Sequence, residues 1–167
     1  MNSAEPPTTL TMDALLSELV PDLLRYFLSR LDDREDAADA VADTLLVLWK
    51  KRRAVPQEPE DTRRYAFGIA RNVLSSWRRG GRRRNALADR LRATVQDETV
   101  TDASPDIDLR AALRRLSEKD RELVLLVAWD GFTVADAGRI IGVSPDAARA
   151  RYARARTKLR EMLTSAG

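Results

Sequence analysis

The sequence contains no cysteine and no histidine among its 167 residues. These absences exclude disulfide scaffolds, zinc fingers, thiolate nucleophiles and every mechanism that uses an imidazole, although catalysis by carboxylates alone stays possible. No apolar run approaches the roughly 20 residues that a membrane-spanning helix needs. The first ten residues have neither a basic side chain nor an apolar core, unlike a secretory signal. We therefore expect a cytoplasmic protein without membrane insertion.

Charge is abundant but unevenly placed along the chain. The 29 basic and 26 acidic side chains leave a net charge of +3. Residues 1–61 carry 13 acidic and seven basic side chains, whereas residues 62–96 carry ten basic side chains and one acidic one. A concentrated basic segment beside an aromatic-bearing helix favours contact with phosphate. The acidic front part of the chain suggests a basic protein surface as a partner.

Apolar residues recur every three or four positions in most of the chain, and no segment of useful length alternates like a strand. This pattern predicts an all-α protein with two small helical domains, residues 10–92 and 109–164, joined by a flexible acidic linker over 93–108. The first helix begins near Thr11 and is kinked or restarted by Pro21. The other predicted helices span 35–53, 62–79 with Thr62 as a cap, 82–92, 109–116, 118–129, 134–141 and 145–163.

The second domain contains the pattern of a helix-turn-helix. Thr133 is a suitable N-cap for a short helix with an apolar face, and Gly142 begins the turn. Ser144 and Pro145 then provide a capping hydroxyl and a proline at the first helical position. The second helix of such a motif lies in the DNA major groove, so we expect this one to bind DNA. The alternative is a solvated basic helix.

A helical wheel divides this last helix into two sides. The predicted core stripe is Ala148, Tyr152, Ala155, Leu159 and Leu163, with Arg156 beside it as a structural ion-pair residue. Small side chains on the other side permit close approach to base edges, and arginines there form bidentate contacts with guanine or bind phosphate. The candidate DNA-binding residues are Asp146, Ala147, Arg149, Ala150, Arg151, Arg154 and Lys158.

The helix over 35–53 has an acidic outer side. Its predicted inner face is Ala37, Val41, Thr44, Leu45 and Leu48. The outer side carries Leu46 between Asp39 and Asp43, with Ala42 at its edge, and an exposed leucine between carboxylates indicates a protein interface. Asp39 and Asp43 can also be interpreted as paired catalytic carboxylates or metal ligands. No nucleophile or further ligand set lies near them in the sequence.

The helix over 62–79 combines aromatic and basic side chains. Its predicted core stripe is Tyr65, Ile69, Val73 and Trp77. Aromatic side chains next to arginines suit unstacked bases, because every base has a π-face and the nucleic-acid backbone is anionic. The side chains left for such contacts are Arg63, Arg64, Phe67, Arg71, Asn72, Arg78 and Arg79.

Three segments together resemble a bacterial RNA polymerase sigma factor of the extracytoplasmic-function group. Residues 34–50, REDAADAVADTLLVLWK, are similar to the region two helix that docks on the polymerase. RRYAFGIARNVLSSWRR is similar to the segment that reads and opens the minus-ten element. The segment from LRRLSEKDRELV to RARTKLREML is similar to region four, which binds the minus-thirty-five element. The resemblance covers about residues 13–92 and 109–163, nearly all of the chain.

The resemblance implies a protein that catalyses no chemistry and supplies promoter specificity and melting energy to an enzyme. The implied partners are core RNA polymerase, promoter DNA and an anti-sigma factor, with no cofactor and no small-molecule substrate. The family pattern places acids at Asp39 and Asp43 and an aromatic at Trp49. The polymerase-binding set is therefore Asp39, Ala42, Asp43, Leu46 and Trp49. The sequence departs from the family at Ala42, where glutamine is common, and at Asp146-Ala147, where Gly-Thr is common.

Two other functions stay open on the residues alone. A stand-alone two-domain helix-turn-helix regulator would sense a ligand in its N-terminal domain, although a small helical bundle leaves little room for a pocket. An enzyme would need a catalytic constellation, and we identify no catalytic or metal-ligating set in the sequence.

Overall fold

The structure is a computed structural model that describes residues 11–92 and 105–165, and every regular element within those ranges is helical. The chain divides into two units, one up to Trp77 and one from Arg78 onward, and the boundary falls inside a long helix. The predicted all-α fold with two helical units is confirmed. The helices are α1 (Met12–Leu28), α2 (Arg34–Lys50), a 3₁₀ turn (Arg52–Ala54), α3 (Pro59–Arg92), α4 (Pro105–Arg115), α5 (Glu118–Ala128), α6 (Val134–Ile141) and α7 (Pro145–Thr164).

The first unit packs around aromatic side chains. Tyr26 and Phe27 of α1 are fully buried, and the Tyr26 ring meets the rings of Phe27 and Phe67 edge to face, each at 5.2 Å between centroids. The Arg30 guanidinium lies over the Tyr26 ring at 3.7 Å. Edge-to-face rings and a stacked cation stabilise such a core beyond the burial of apolar area. Pro21 is exposed on α1, and the helix continues through it rather than restarting.

Helix α3 differs from its prediction at both ends. It begins at Pro59, so Thr62 lies within the first turn and is buried, and its hydroxyl donates to the carbonyls of Pro56 (2.6 Å) and Glu58 (2.9 Å). The helix also runs through the Gly80-Gly81 pair to Arg92 instead of ending at Arg79. Glycine costs a helix interior only about 1 kcal/mol, which the surrounding helix formers offset.

The buried face of α3 is rotated by about one residue from the predicted stripe. Its buried apolar residues are Ala66, Phe67, Ile69, Ala70 and Leu74. Tyr65, Val73 and Trp77 are only half-buried, so of the predicted stripe Ile69 alone is a core residue. The prediction put Tyr65 and Trp77 inside because their side chains are large and largely apolar. The true inner face instead contains Ala66 and Ala70, whose small side chains allow close helix packing.

The described part of the second unit contains the end of α3 and the helices α4 to α7. Helices α4, α5 and α7 share a core of Ala112, Leu116, Val124, Ala155 and Leu159, against which Tyr152 and Met162 pack. Helix α6 packs against α5 and α7. Residues 105–108, predicted as the end of the linker, form the first turn of α4. The rest of the predicted linker, like the first ten residues, lies outside the described ranges.

Candidate nucleic-acid and protein interfaces

The turn between α6 and α7 is fixed by caps on both helices. The Thr133 hydroxyl accepts from the Asp136 amide at 3.1 Å and starts α6. Gly142 ends α6 in the left-handed conformation, with φ at 75°, which glycine adopts without strain. The Ser144 hydroxyl then accepts from the Ala147 amide at 3.2 Å, and Pro145 occupies the first turn of α7. The predicted caps of the helix-turn-helix are confirmed.

A close approach of α6 to α7 sets the angle between them. Gly138 is buried, and a Cβ at its position would lie 2.6 Å from the Cβ of Ala148. Only a residue without a side chain fits there, and Ala148 is itself fully buried. The outer side of α7 is thereby held in one orientation.

Most of the predicted DNA-binding residues of α7 are exposed. They are Asp146, Ala147, Arg149, Ala150, Arg154 and Lys158. Arg149 forms an ion pair with Asp146 on its own helix, and both side chains remain largely exposed, at 62% and 90%. An exposed pair of this kind is weak, so the arginine can exchange this partner for a phosphate or a base.

Arg151 is placed differently from the prediction. Its Nη1 donates to the Asp120 carboxylate of α5 at 2.8 Å, and its side chain is 34% exposed. The wheel treats one helix alone and so cannot show a carboxylate supplied by another helix. Arg156, predicted as a structural ion-pair residue, is exposed and lies over the Tyr152 ring at 5.7 Å. Leu163 is 40% exposed, because the half-buried Met162 packs on the core instead.

Asp120 occupies the first turn of α5, where Ser117 is the N-cap. The Ser117 hydroxyl accepts from the Asp120 amide at 3.2 Å. Partial burial raises the pKa of the Asp120 carboxyl, but hydrogen bonds from Ser117 and Arg151 and the charges of Arg151 and Lys158 outweigh it. The pKa of Asp120 therefore lies below its ordinary value of 3.8. No sequence signal pointed to this residue, since its partner is 31 positions away.

The outer side of α2 carries the polymerase-binding set predicted from the sequence. Asp39, Ala42, Asp43, Leu46 and Trp49 are all exposed, Leu46 to 51% and Trp49 to 42%. Four of the five residues predicted to face inward are buried, and Leu45 is half-buried.

Two residues that the sequence did not assign to this surface, Arg52 and Trp77, contact it. The Arg52 guanidinium lies 5.1 Å over the Trp49 ring, and its Nη1 donates to the Trp49 carbonyl at 3.1 Å. The Trp77 indole of α3 donates to Asp43 at 2.9 Å. Asp43 is therefore held in place from a second helix, while Asp39 depends on its own helix for position.

The arginines at the start of α3 are engaged with carboxylates of the first unit. Arg63 donates to Asp22 of α1 at 3.1 Å and lies 4.9 Å over the Phe67 ring, while Arg64 pairs with Asp61. Phe67 is fully buried, so the prediction that it meets DNA bases is wrong. This error and the assignment of Tyr65 to the core have one cause, because the predicted inner face of α3 was rotated by about one residue from the true one.

The later part of α3 is more open. Arg71 is half-buried, and Asn72 and Arg79 are exposed. Arg78, which begins the second unit, donates to Glu118 at 3.2 Å. The side chains of the three arginines at 82–84 lie outside the described residues.

In the described part of the chain, no three acidic side chains lie together in the way that a metal site would require. None of the helices over 11–92 and 105–165 is long and apolar enough to span a bilayer.

Two family descriptions match the chain, Sigma-70 region 2 over residues 15–93 and Sigma-70 region 4 over residues 106–159. The ECF RNA polymerase sigma factor EcfG of Rhodopseudomonas palustris is 31% identical, with 95% of this chain and 87% of EcfG covered. The ECF sigma factor SigL of Mycobacterium tuberculosis is 28% identical, with 93% of this chain and 90% of SigL covered.

Solved structures agree with these relatives. The sigma factor RpoE of Bartonella quintana, in complex with the anti-sigma factor NepR, has a TM-score of 0.66 and 31% identity, covering 89% of this chain and 95% of RpoE. CnrH, in complex with the cytosolic domain of CnrY, has a TM-score of 0.67 over 93% of this chain and 89% of CnrH. At 22% identity, CnrH shows similarity of fold alone.

Proposed function

The chain belongs to the extracytoplasmic-function group of RNA polymerase sigma factors, and from that membership we propose how its surfaces divide the work of transcription initiation. The acidic side of α2 docks on core polymerase, α7 reads the upstream promoter element, and the outer side of α3 reads and opens the minus-ten element. The functional domains are residues 10–92 and 109–164. The protein works in the cytoplasm and has no catalytic residues of its own, because its part is to direct an enzyme.

The docking surface consists of Asp39, Ala42, Asp43, Leu46 and Trp49. An exposed leucine and an exposed tryptophan beside two carboxylates suit a partner surface that is basic with an apolar centre. The carboxylates steer the approach and fix the register, and burial of Leu46 and Trp49 supplies affinity. A common family glutamine is replaced by Ala42, which removes two donors and an acceptor from the middle of this surface.

The upstream element is read by the N-terminal part of α7. Arg149, Arg154 and Lys158 are the exposed cations of the predicted DNA-binding set, and the small residues Ala147 and Ala150 let the helix backbone approach base edges. One observation carries this proposal: the close approach of Gly138 to Ala148 fixes α7, and the outer side of α7 is exposed among the residues that the structure describes.

The minus-ten element is bound by α3 through Arg63, Arg64, Arg71, Asn72, Arg78 and Arg79. Phe67 is not among these residues because it is buried in the first unit. Arg63 and Arg64 reach DNA only by exchanging their carboxylate partners for phosphate, so we expect them to contribute less than the exposed Asn72 and Arg79.

An anti-sigma factor is the proposed regulatory partner. The similar RpoE of Bartonella quintana is found in complex with the anti-sigma factor NepR, at 31% identity over nearly the whole chain. A protein of that class would silence this chain by covering the α2 surface or the exposed side of α7.

Binding to purified core polymerase tests the docking surface. We expect the double variant Asp39→Arg with Asp43→Arg to lose co-purification with core polymerase, because it places two positive charges against a basic partner. The matched control is Glu18→Arg with Asp32→Arg, which makes the same charge change at exposed positions outside the surface. Normal binding by the Asp39 and Asp43 variant, or equal loss by the control, contradicts the assignment.

The competing function is a stand-alone regulator. It predicts tight and specific DNA binding by the chain without polymerase, and binding that is unaffected by changes on α2. Electrophoretic mobility shifts with and without core polymerase separate the two functions.

A further inference from the structure

The ion pair between Asp120 and Arg151 joins two helices that have different tasks in DNA binding. Asp120 lies in the first turn of α5, the helix that packs against both helices of the helix-turn-helix, and Arg151 lies on α7. The two side chains are 2.8 Å apart, and 19% and 34% exposed. This pair is shielded from solvent more than the Arg149–Asp146 pair of α7, whose side chains are 62% and 90% exposed.

Arg151 lies at the edge of the DNA-facing side of α7. On a helical wheel it is about 40° from the exposed Ala147 and about 40° from the buried Ala155. From this position its long side chain can turn either toward DNA or toward α5. The Asp120 carboxylate holds it toward α5, neutralises the guanidinium and fixes its direction.

Asp120 is itself held in place. The Asp120 backbone amide donates to the Ser117 hydroxyl at 3.2 Å, and Arg151 donates to the Asp120 carboxylate at 2.8 Å. A carboxylate fixed at a helix N-terminus is a rigid acceptor, because the amides and the helix dipole already favour its charged form there. A rigid acceptor gives Arg151 one orientation, which a flexible surface carboxylate would not.

We propose that Asp120 is a positioning residue for promoter recognition: it keeps Arg151 off the DNA phosphates and so limits non-specific affinity. This inference rests on the proposed function, because it assumes that α7 lies on DNA. An arginine freed at this position would add one phosphate contact to every DNA sequence, which raises affinity without adding information. Discrimination between promoters then depends on Arg149 and Arg154, whose exposed side chains are not restrained by another helix.

The salt dependence of promoter binding by the holoenzyme tests this proposal. Holoenzyme is reconstituted from core polymerase and each variant, and its affinity is measured between 50 and 200 mM salt. The probes are a promoter duplex that the wild-type holoenzyme transcribes and the same duplex with its upstream element scrambled. We expect Asp120→Asn to steepen the plot of log affinity against log salt concentration by about 0.9, the value for one added phosphate contact. We also expect it to reduce the ratio of the affinities for the two duplexes. Arg151→Gln, alone or combined with Asp120→Asn, should retain the wild-type slope.

Two results would overturn the proposal. One is a slope that becomes shallower by about 0.9 in Arg151→Gln, since Arg151 would then already contact phosphate in the wild type. The other is an unchanged slope in a folded Asp120→Asn variant, whatever its thermal stability, because a purely structural pair changes melting temperature and not salt dependence. If Asp120→Asn does not fold, the salt slope of Arg151→Gln is the deciding measurement: a wild-type slope supports the proposal, and a shallower slope overturns it.

Arg154→Gln separates a failure of this inference from a failure of the proposed function. If it leaves affinity for both duplexes unchanged, α7 does not lie on DNA, and the proposed function fails together with the inference. If it weakens promoter binding while Asp120→Asn leaves the slope unchanged, only the inference about Asp120 fails.

Discussion

The two arginine-rich helices, α3 and α7, differ in where their arginines find partners. At the start of α3, Arg63 bonds to Asp22 on another helix and lies over the ring of the buried Phe67. On α7, the partner that Arg149 finds among the described residues is Asp146 of the same helix, and Arg154 is exposed. Similar sequence patterns thus give one helix whose first arginines bond to carboxylates of their unit and one helix whose outer arginines stay exposed. The carboxylates that the fold brings near each arginine decide between these outcomes, and the number of arginines does not.

Replacement of Phe67 has the largest expected effect on stability. It tests whether the side of α3 that carries Phe67 faces the core of the first unit. Replacing Phe67 by alanine should destabilise the first unit by about 3–5 kcal/mol, since it removes a fully buried ring that contacts Tyr26. Denaturant unfolding followed by tryptophan fluorescence measures this loss when Trp129 of the second unit is replaced by phenylalanine in both proteins, so that Trp49 and Trp77 give the signal. A variant with wild-type stability that fails only in promoter melting would return Phe67 to the DNA-contacting set.

Gly138 tests the close contact that orients α7. Gly138→Ala should destabilise the second unit by about 1–3 kcal/mol, because the added Cβ would lie 2.6 Å from that of Ala148. Upstream-element binding should weaken with it. Gly68→Ala is the matched control, since nothing lies within 4 Å of a Cβ there and the change should stabilise α3 slightly. Equal effects of the two variants in thermal unfolding would show that helix packing at Gly138 is unimportant.

Arg154 tests the exposed side of α7 directly. Arg154→Ala should weaken binding of the holoenzyme to the upstream element by about 1–3 kcal/mol, the usual contribution of a bidentate arginine. Arg160→Ala is the control, because Arg160 is exposed on the same helix but lies near its C-terminal end and outside the predicted DNA-binding set. Gel-shift titrations of the two variants compare them, and equal affinities would remove Arg154 from the interface.

Lowering the pH should weaken the Asp120–Arg151 ion pair. Of these four changes, we expect this one to have the smallest effect. The pKa of Asp120 lies below its ordinary value of 3.8, so the carboxylate stabilises the fold above that value and loses its contribution as pH falls through the lowered pKa. The stability difference between wild type and Asp120→Asn should therefore be full at pH 7 and shrink below about pH 4. Thermal unfolding across this range measures the difference, and a constant difference would contradict the shift.

The sequence predicted the helix-turn-helix closely, because its signals are local. Thr133, Gly142 and Ser144 act through bonds to residues at most four positions away. The exposed side of α2 was also largely predictable, since four of the five residues assigned to its inner face are buried, although the fully buried Ala40 was not among them. The inner face of α3 was not, because both of its sides carry large apolar or aromatic side chains and local spacing does not choose between them.

The roles of Asp120, Asp22 and Trp77 could not be predicted for a different reason. Each acts on a residue more than 30 positions away, Arg151, Arg63 and Asp43 respectively. Pairings of this kind follow from tertiary packing, and a wheel drawn for one helix contains no information about them. They also explain why the side chains of Arg151 and Arg63 are restrained. A helical wheel does not distinguish these two residues from exposed arginines such as Arg154.

The central claim is that this chain brings core polymerase to promoters through α7. The most direct measurement is transcription in vitro from a fragment library of genomic DNA, using purified core polymerase with the wild-type chain or with Arg154→Ala. The account predicts discrete start sites that share an upstream element with the wild-type chain, and a marked loss of those starts with Arg154→Ala. Start sites no more frequent than with core polymerase alone, or the same sites at the same strength with both proteins, would contradict it.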